Sequence, residues 1–277
     1  NSLVSDKLNG TTGSFDPKEI TVTALAQGNY VIAHPGYDGA RGAVTWANGS
    51  TGVNGLMSAH THVVGTTPYG NVNGVVKVGD QVGSGGITAL TNGNFVIFSP
   101  HFNQNRGTIK WLPGTGNGPA LNQQANTNAM LGEAATAYDT DGITIKDAGS
   151  LYGARVVALT NGNYVVAAPG WNPNGRIDAG VVAVYFGNSG KLVISEVDRD
   201  ESRYNYDDSS TIEGWKAGDK IGSGGVTPLQ SGMFVILSPD YQGGRGAFAL
   251  ADGSSSNGRL VLQGNTSRSE EHTSELQ

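Results

Sequence analysis

The sequence predicts an all-β repeat protein, most simply a run of β-propeller blades with four antiparallel strands each. Three observations predict it. One phrase recurs four times, at Thr23–Pro35, Thr88–Pro100, Ala158–Pro169 and Thr227–Pro239. Its pivot glycines Gly28, Gly93, Gly162 and Gly232 are 65, 69 and 70 residues apart, and a fixed period of this kind marks a tandem array. Within each phrase a turn dipeptide separates two apolar runs, which is the pattern of a β-hairpin. The second run is apolar at consecutive positions, so that strand is expected to be buried on both faces.

The elements follow in order. In the second copy Ile87–Leu90 is a first strand, Asn92-Gly93 the turn and Phe95–Phe98 the second strand. The dipeptide predicts a type I′ turn, with positive φ at both central residues. The first and fourth copies carry Gln27-Gly28 and Ser231-Gly232, so glycine is kept where strain is greatest. Pro35, Pro100, Pro169 and Pro239 end the second strands, because proline cannot donate to a ladder. Third strands follow at Gly42–Trp46, Gly107–Trp111, Gly180–Phe186 and Gly246–Leu250. Turns at Asn48-Gly49, Gly187-Asn188 and Asp252-Gly253 lead to fourth runs at Leu56–Ala59, Lys191–Ile194 and Arg259–Leu262. Pro113 and Pro119 leave the second unit a poor fourth strand. Four antiparallel strands per unit, each sheet sandwiched between neighbours, describe a propeller blade. The alternative is a β-solenoid, whose rungs are usually shorter and whose pairing does not use Asn-Gly hairpins.

The chain divides into a partial repeat (1–19), unit 1 (20–86), unit 2 (87–155), unit 3 (156–225) and a truncated unit 4 (226–267). Val78–Gly86 and the near-copy Ala217–Gly225 read as unit-to-unit connections, with a degraded version at Asp147–Gly153. Both ends read as cut: Asn1–Val4 resembles the internal stretches Thr61–Val64 and Asn128–Leu131. The tail Arg268–Gln277 resembles the translation of a short-read sequencing adapter and is set aside as artefactual. Variation concentrates in inserts at about 112–150 and 196–216, and in repeat architectures such inserts form loops on one, often binding, face.

Composition narrows the function. The 277 residues include 43 glycines and no cysteine, which removes disulfide frameworks and thiolate metal sites. A net charge of −6 without a basic patch argues against nucleic acid as a partner. No run of 18 apolar residues exists to span a membrane.

Each candidate chemistry has a bland counterpart. The Gly-Ser-Gly-Gly stretches lack the Gly-Lys-Ser/Thr ending of a phosphate loop and precede a strand, so they read as tight turns. His60 and His62 share a strand face, but zinc needs further ligands and only His34 and His101 remain outside the tail. Asp139-Thr-Asp141 and the acidic run Asp198–Asp208 offer oxygen ligands, making calcium the one cofactor with any sequence support. Asp38 and Asp240 are expected to follow the aromatic at corresponding positions of two units, after His-Pro-Gly-Tyr and Ser-Pro. Residues repeated by symmetry are structural more often than catalytic, and no asymmetric constellation stands out, so the chain is expected not to be an enzyme. The remaining candidates are four aromatic–arginine pairs: Tyr37 and Arg41, Phe102 and Arg106, Trp171 and Arg176, Tyr241 and Arg245. They could form a ring of sugar-binding contacts, but periodic recurrence fits an arginine stacked on its own blade's aromatic or paired across a blade junction.

The phrase Leu159–Pro169, with Gly42–Trp46 and Val78–Gly86, resembles a bacterial repeat of unknown function found in tandem in filamentous-haemagglutinin-like surface proteins. The likeness covers residues 1–265 and brings no catalytic residues. It implies export, an extracellular or cell-surface location, and adhesion or surface display toward carbohydrate or host matrix protein. The stretch Gly162–Gly170 is also loosely similar to integrin-type FG-GAP propeller blades, but Asn161-Gly162-Asn163 stands where their acidic calcium loop would be. The alternatives are an accessory propeller beside an exported polysaccharide-acting enzyme, and a spacer without a ligand.

Overall fold

The computed structural model describes residues 3–4, 20–56, 63–72, 75–115, 129–132, 137–138, 145–147, 151, 153–193 and 211–254. Strand β1 (Leu3–Val4) precedes the first blade. Blade 1 contains β2 (Thr21–Ala24), β3 (Tyr30–His34) and β4 (Ala43–Ala47). After β4, β5 (Gly55–Leu56) pairs in parallel with β1, and β6 (Val63–Val64) returns to complete the sheet β2-β3-β4-β6. A small hairpin, β7 (Gly70–Val72) and β8 (Val75–Lys77), leads on. Blade 2 is β9 (Ile87–Ala89), β10 (Phe95–Ser99), β11 (Thr108–Leu112) and β12 (Ala129–Leu131). A second small pair, β13 (Ala137–Tyr138) and β14 (Ile145–Asp147), follows. Blade 3 is β15 (Arg155–Ala158), β16 (Tyr164–Ala168), β17 (Val181–Tyr185) and β18 (Thr211–Glu213). Blade 4 shows β19 (Gly225–Pro228), β20 (Met233–Ser238) and β21 (Ala247–Asp252). All blade pairings are antiparallel. The molecule is therefore all-β, with sheets that fit propeller-like blades.

The strands pack as their apolar runs require. All residues of β10 and β16 are buried, because each sheet lies between two others. Val31, Ala33 and Val44 of blade 1 meet Phe95 and Ile97 of blade 2. Val96, Phe98 and Ile109 of blade 2 meet Tyr164, Val166 and Ala168 of blade 3. Val165, Ala167 and Val182 of blade 3 meet Phe234 and Ile236 of blade 4. Odd and even positions of β10 and of β16 thus face opposite neighbours. Blade 4 keeps one face in this core and leaves Leu237 and Phe248 exposed.

Two expectations are corrected. The hairpins of blades 1 to 3 are not type I′. Only the pivot glycine has positive φ, at +79°, +88° and +90° for Gly28, Gly93 and Gly162. In blade 2, Gly93 N–H donates to Leu90 O and Leu90 N–H to Asn94 O, so Thr91-Asn92-Gly93 is a three-residue loop: a turn followed by a left-handed glycine. Blade 4 alone has positive φ at both central residues, Ser231 (62°) and Gly232 (80°). The fourth strands also lie elsewhere. In blade 1 the partner of β4 is Val63–Val64; Leu56 pairs with β1, and 57–59 fall outside the described residues. In blade 3 Leu192 makes a single bridge to Tyr185, and the strand resumes at Thr211–Glu213 after the insert. Blade 2 does have a fourth strand, Ala129–Leu131, beyond its prolines. The physical reason is common to blades 1 and 3. The ladder on the third strand is resumed after the inserted chain, so sequence proximity does not identify the partner. Arg259–Leu262 and Arg268–Gln277 lie outside the described residues.

Candidate functional site

The aromatic–arginine pairs sit on a tight turn between the second and third strands. In blade 1 this turn passes through Asp38 (φ 50°), Gly39 (68°) and Ala40 (64°), and in blade 2 through Asn103, Gln104 and Asn105 at 51°, 59° and 62°. Consecutive left-handed residues are costly for side chains other than glycine, so the surroundings must hold them in place. The arginines do part of this work within their own blades. Arg41 pairs with Asp38 (3.3 Å) and donates to Thr66 O. Arg106 Nε donates to Gly132 O at 2.9 Å, just past β12. Arg176 pairs with Glu213 of β18 at 3.1 Å. Arg245 closes its turn through its backbone N–H to Tyr241 O, with an exposed side chain. The aromatics turn inward: Tyr37 is buried, and Phe102, Trp171 and Tyr241 pack against the joints between blades 1–2, 2–3 and 3–4. Three of the four arginines thus make contacts within their own blades, and the side chain of Arg245 is exposed.

Two recurrent polar devices lock the blades together. Asp80 and Asp219, in the connections, are 0% and 1% exposed. Asp80 Oδ2 accepts from Thr66 N, Thr66 Oγ1 and Thr67 N at 2.7, 3.0 and 2.8 Å, and Oδ1 from Asn103 N of the next blade at 2.9 Å. Asp219 accepts from Trp215 N, Lys216 N and, in blade 4, Gln242 N. A buried carboxylate needs such a full set of donors. The second device is a ladder of asparagines. Asn29, Asn94 and Asn163 follow the pivot glycines, and each Oδ1 accepts from a glycine N–H of its own blade: Gly49, Gly114 or Gly187. Each Nδ2 donates to a glycine carbonyl of the next blade: Gly114, Gly187 or Gly253. Trp46 and Trp111 Nε1 reinforce it at 2.9 Å. Their recurrence immediately after the first three pivot glycines is the signal the sequence carries for this ladder.

Asp38 and Asp240 do not correspond. Asp38 lies inside the left-handed turn, whereas Asp240 precedes it and accepts from Ser223 Oγ at 2.9 Å. His101 bonds Asn105 at 2.7 Å. His60, His62, Asp139, Asp141 and Asp198–Asp208 lie outside the described residues. Among the described residues no group of three or more His, Asp or Glu is placed to hold a metal, and no helix is long and apolar enough to cross a membrane.

Side chains that break the repeat are fewer. Trp215 is 79% exposed in the turn that Asp219 holds, and Ile177, whose carbonyl accepts from Gly218 N, is 64% exposed. Both flank the end of blade 3 to which β18 returns after the 194–210 insert.

The fold and its joints define a tandem-repeat β protein. Residues 24–74, 89–138 and 158–202, together about half of the chain, match a family described as a repeat of unknown function (DUF5650), and the chain belongs to that family. No curated protein matches it.

Proposed function

We propose that the chain is a non-catalytic repeat module of an exported bacterial surface protein, serving adhesion or surface display through its loop inserts. One observation carries this reading. The recurrent polar side chains are engaged inside the scaffold, while exposed Trp215 and Ile177, which do not recur, gather beside an insert. Groups spent on structure are not free for acid–base or nucleophilic work. A wet tryptophan, by contrast, supplies the rigid apolar surface that binding hot spots favour. Carbohydrate or host matrix protein is the partner class this reading names, without a cofactor. It places the module outside the cell or on its surface.

The test is a screen of the chain against glycans and matrix proteins, repeated with Trp215→Ala. A partner is expected that the variant binds about tenfold more weakly with an unchanged thermal midpoint. Absence of any partner, or full retention of binding by the variant, would remove this reading.

A further inference from the structure

The first strand β15 lies between the first strands β9 and β19, and each of the three is the end strand of its sheet. Each therefore carries a backbone edge without a partner strand. Between them runs an open cleft of about 520 Å³, a size within the range of small-molecule sites. Thr88, Phe98, Val156, Val226 and Thr227 contribute to its walls.

One wall residue breaks the repeat. Thr21, Gly86, Arg155 and Gly225 each stand seven residues before a pivot glycine. Arg155 is thus a cation where the neighbouring blades have glycine, and among the described residues it is the one charged residue lining the cleft. Its guanidinium extends toward blade 4: a Cβ on Gly225 would lie 3.2 Å from Arg155 Nη1. Glycine at 225, at φ +102°, keeps that space open. Among the described residues the Arg155 side chain makes no hydrogen bond or ion pair, in contrast to Arg41, Arg106 and Arg176.

A guanidinium stays charged throughout the physiological range and presents a fork of donors that matches a carboxylate or phosphate. The nearby glycine N–H groups are already committed. Gly85 donates to Phe98 O, Gly224 to Leu237 O and Gly225 to Gly222 O. The glycines therefore make no anion cradle of their own, and recognition of an anion falls to Arg155. We propose that this cleft binds a small ligand through an oxyanion, a carboxylate or a phosphoryl group, held by Arg155. The site is separate from the insert surface and stands or falls independently of the adhesion reading.

The experiment is calorimetric titration of the chain with glucuronate, inorganic phosphate and glucose, each also against Arg155→Gly and Arg155→Lys. Arg155→Gly installs the residue that blades 2 and 4 carry, and Arg155→Lys keeps the charge without the fork. At least one of the two anions is expected to saturate the chain, while glucose does not. Arg155→Gly is expected to weaken that binding by about tenfold or more, and Arg155→Lys by less. Tighter glucuronate assigns a carboxylate ligand; tighter phosphate assigns a phosphoryl one. The proposal is overturned if neither anion saturates the chain by about 10 mM. It is also overturned if a folded Arg155→Gly binds as well as the native chain or, should that variant not fold, if Arg155→Lys binds glucose and anions alike.

Discussion

Asp80 is a charge removed from water, and its position is tolerable because four protein donors replace the solvent. Removing it strands those donors in the joint between blades 1 and 2. Asp80→Ala is expected to cost about 3 kcal/mol, read as a lowered denaturation midpoint. An exposed variant such as Thr51→Ala is the control, with an effect near zero. His34 makes a different demand. It is fully buried, and burial holds its pKa below 6.5. The unfolded chain takes up a proton near 6.5 that the folded chain resists, so acidification below that value favours unfolding. The loss ends once pH has fallen through the folded pKa. Ser99 and Ser238 hold the equivalent place in blades 2 and 4, and each accepts a connection N–H at 3.0 Å. His34→Ser is therefore expected to reduce the drop in thermal midpoint between about pH 7.5 and about pH 5.5, compared with the native chain. An equal drop in both would show that His34 stays solvated. Burial also raises the phenol pKa values of the stacked pair Tyr164 and Tyr185, the latter to about 12, so neither ionises in this range.

At the scale of the element, the hairpin tip and the end of the third strand are one contact. A Cβ on Gly114 would fall 1.7 Å from Gly93 O, and Gly49 and Gly187 repeat the clash at 1.6 and 1.5 Å against Gly28 O and Gly162 O. The obstacle is backbone, which cannot swing aside as a long side chain could. Gly114→Ala is expected to destabilise by more than about 2 kcal/mol in chemical denaturation, although alanine is mild at most surface turns. A neutral result would mean the blade tip is loosely held. The recurrence of turn glycines was readable from the sequence, but the conformation of the hairpin was not. Asn-Gly suits a two-residue loop, yet here the loop has three residues, and Asn92 Nδ2 donates to Gly162 O of the next blade at 3.4 Å. The fourth strands escape sequence proximity for a related reason: a strand's partner is set by the free edge it returns to, however long the excursion.

Across the whole molecule, each blade touches its neighbours in the chain, so stability is a sum of blade terms and joint terms. Blade 3 is covered on both faces, whereas blade 4 leaves Leu237 and Phe248 in water. Hydrogen exchange is expected to be slowest in β16, around Val165 and Val166, and clearly faster in β20 around Leu237. Equal protection would show that blade 4 is covered in solution. Among the candidate side chains, the arginines and aromatics are visible in the sequence by their periodicity, and Arg41, Arg106 and Arg176 make contacts within their own blades. Trp215 and Arg155 were harder to see. Each is a single departure from the repeat, and its meaning depends on whether the side chain faces water, a cleft or a core.

The sequence by itself determined the all-β class, the repeat and the burial of β10 and β16 on both faces. These follow from local periodicity and turn chemistry, which act over a few residues. Only the tertiary structure decided which strand closes each blade, which polar residues are spent on the joints, and that β9, β15 and β19 leave an open cleft that Arg155 lines. Those features join residues distant in the chain, across an insert or across a blade joint, and their energy comes from geometry that forms only when the segments meet.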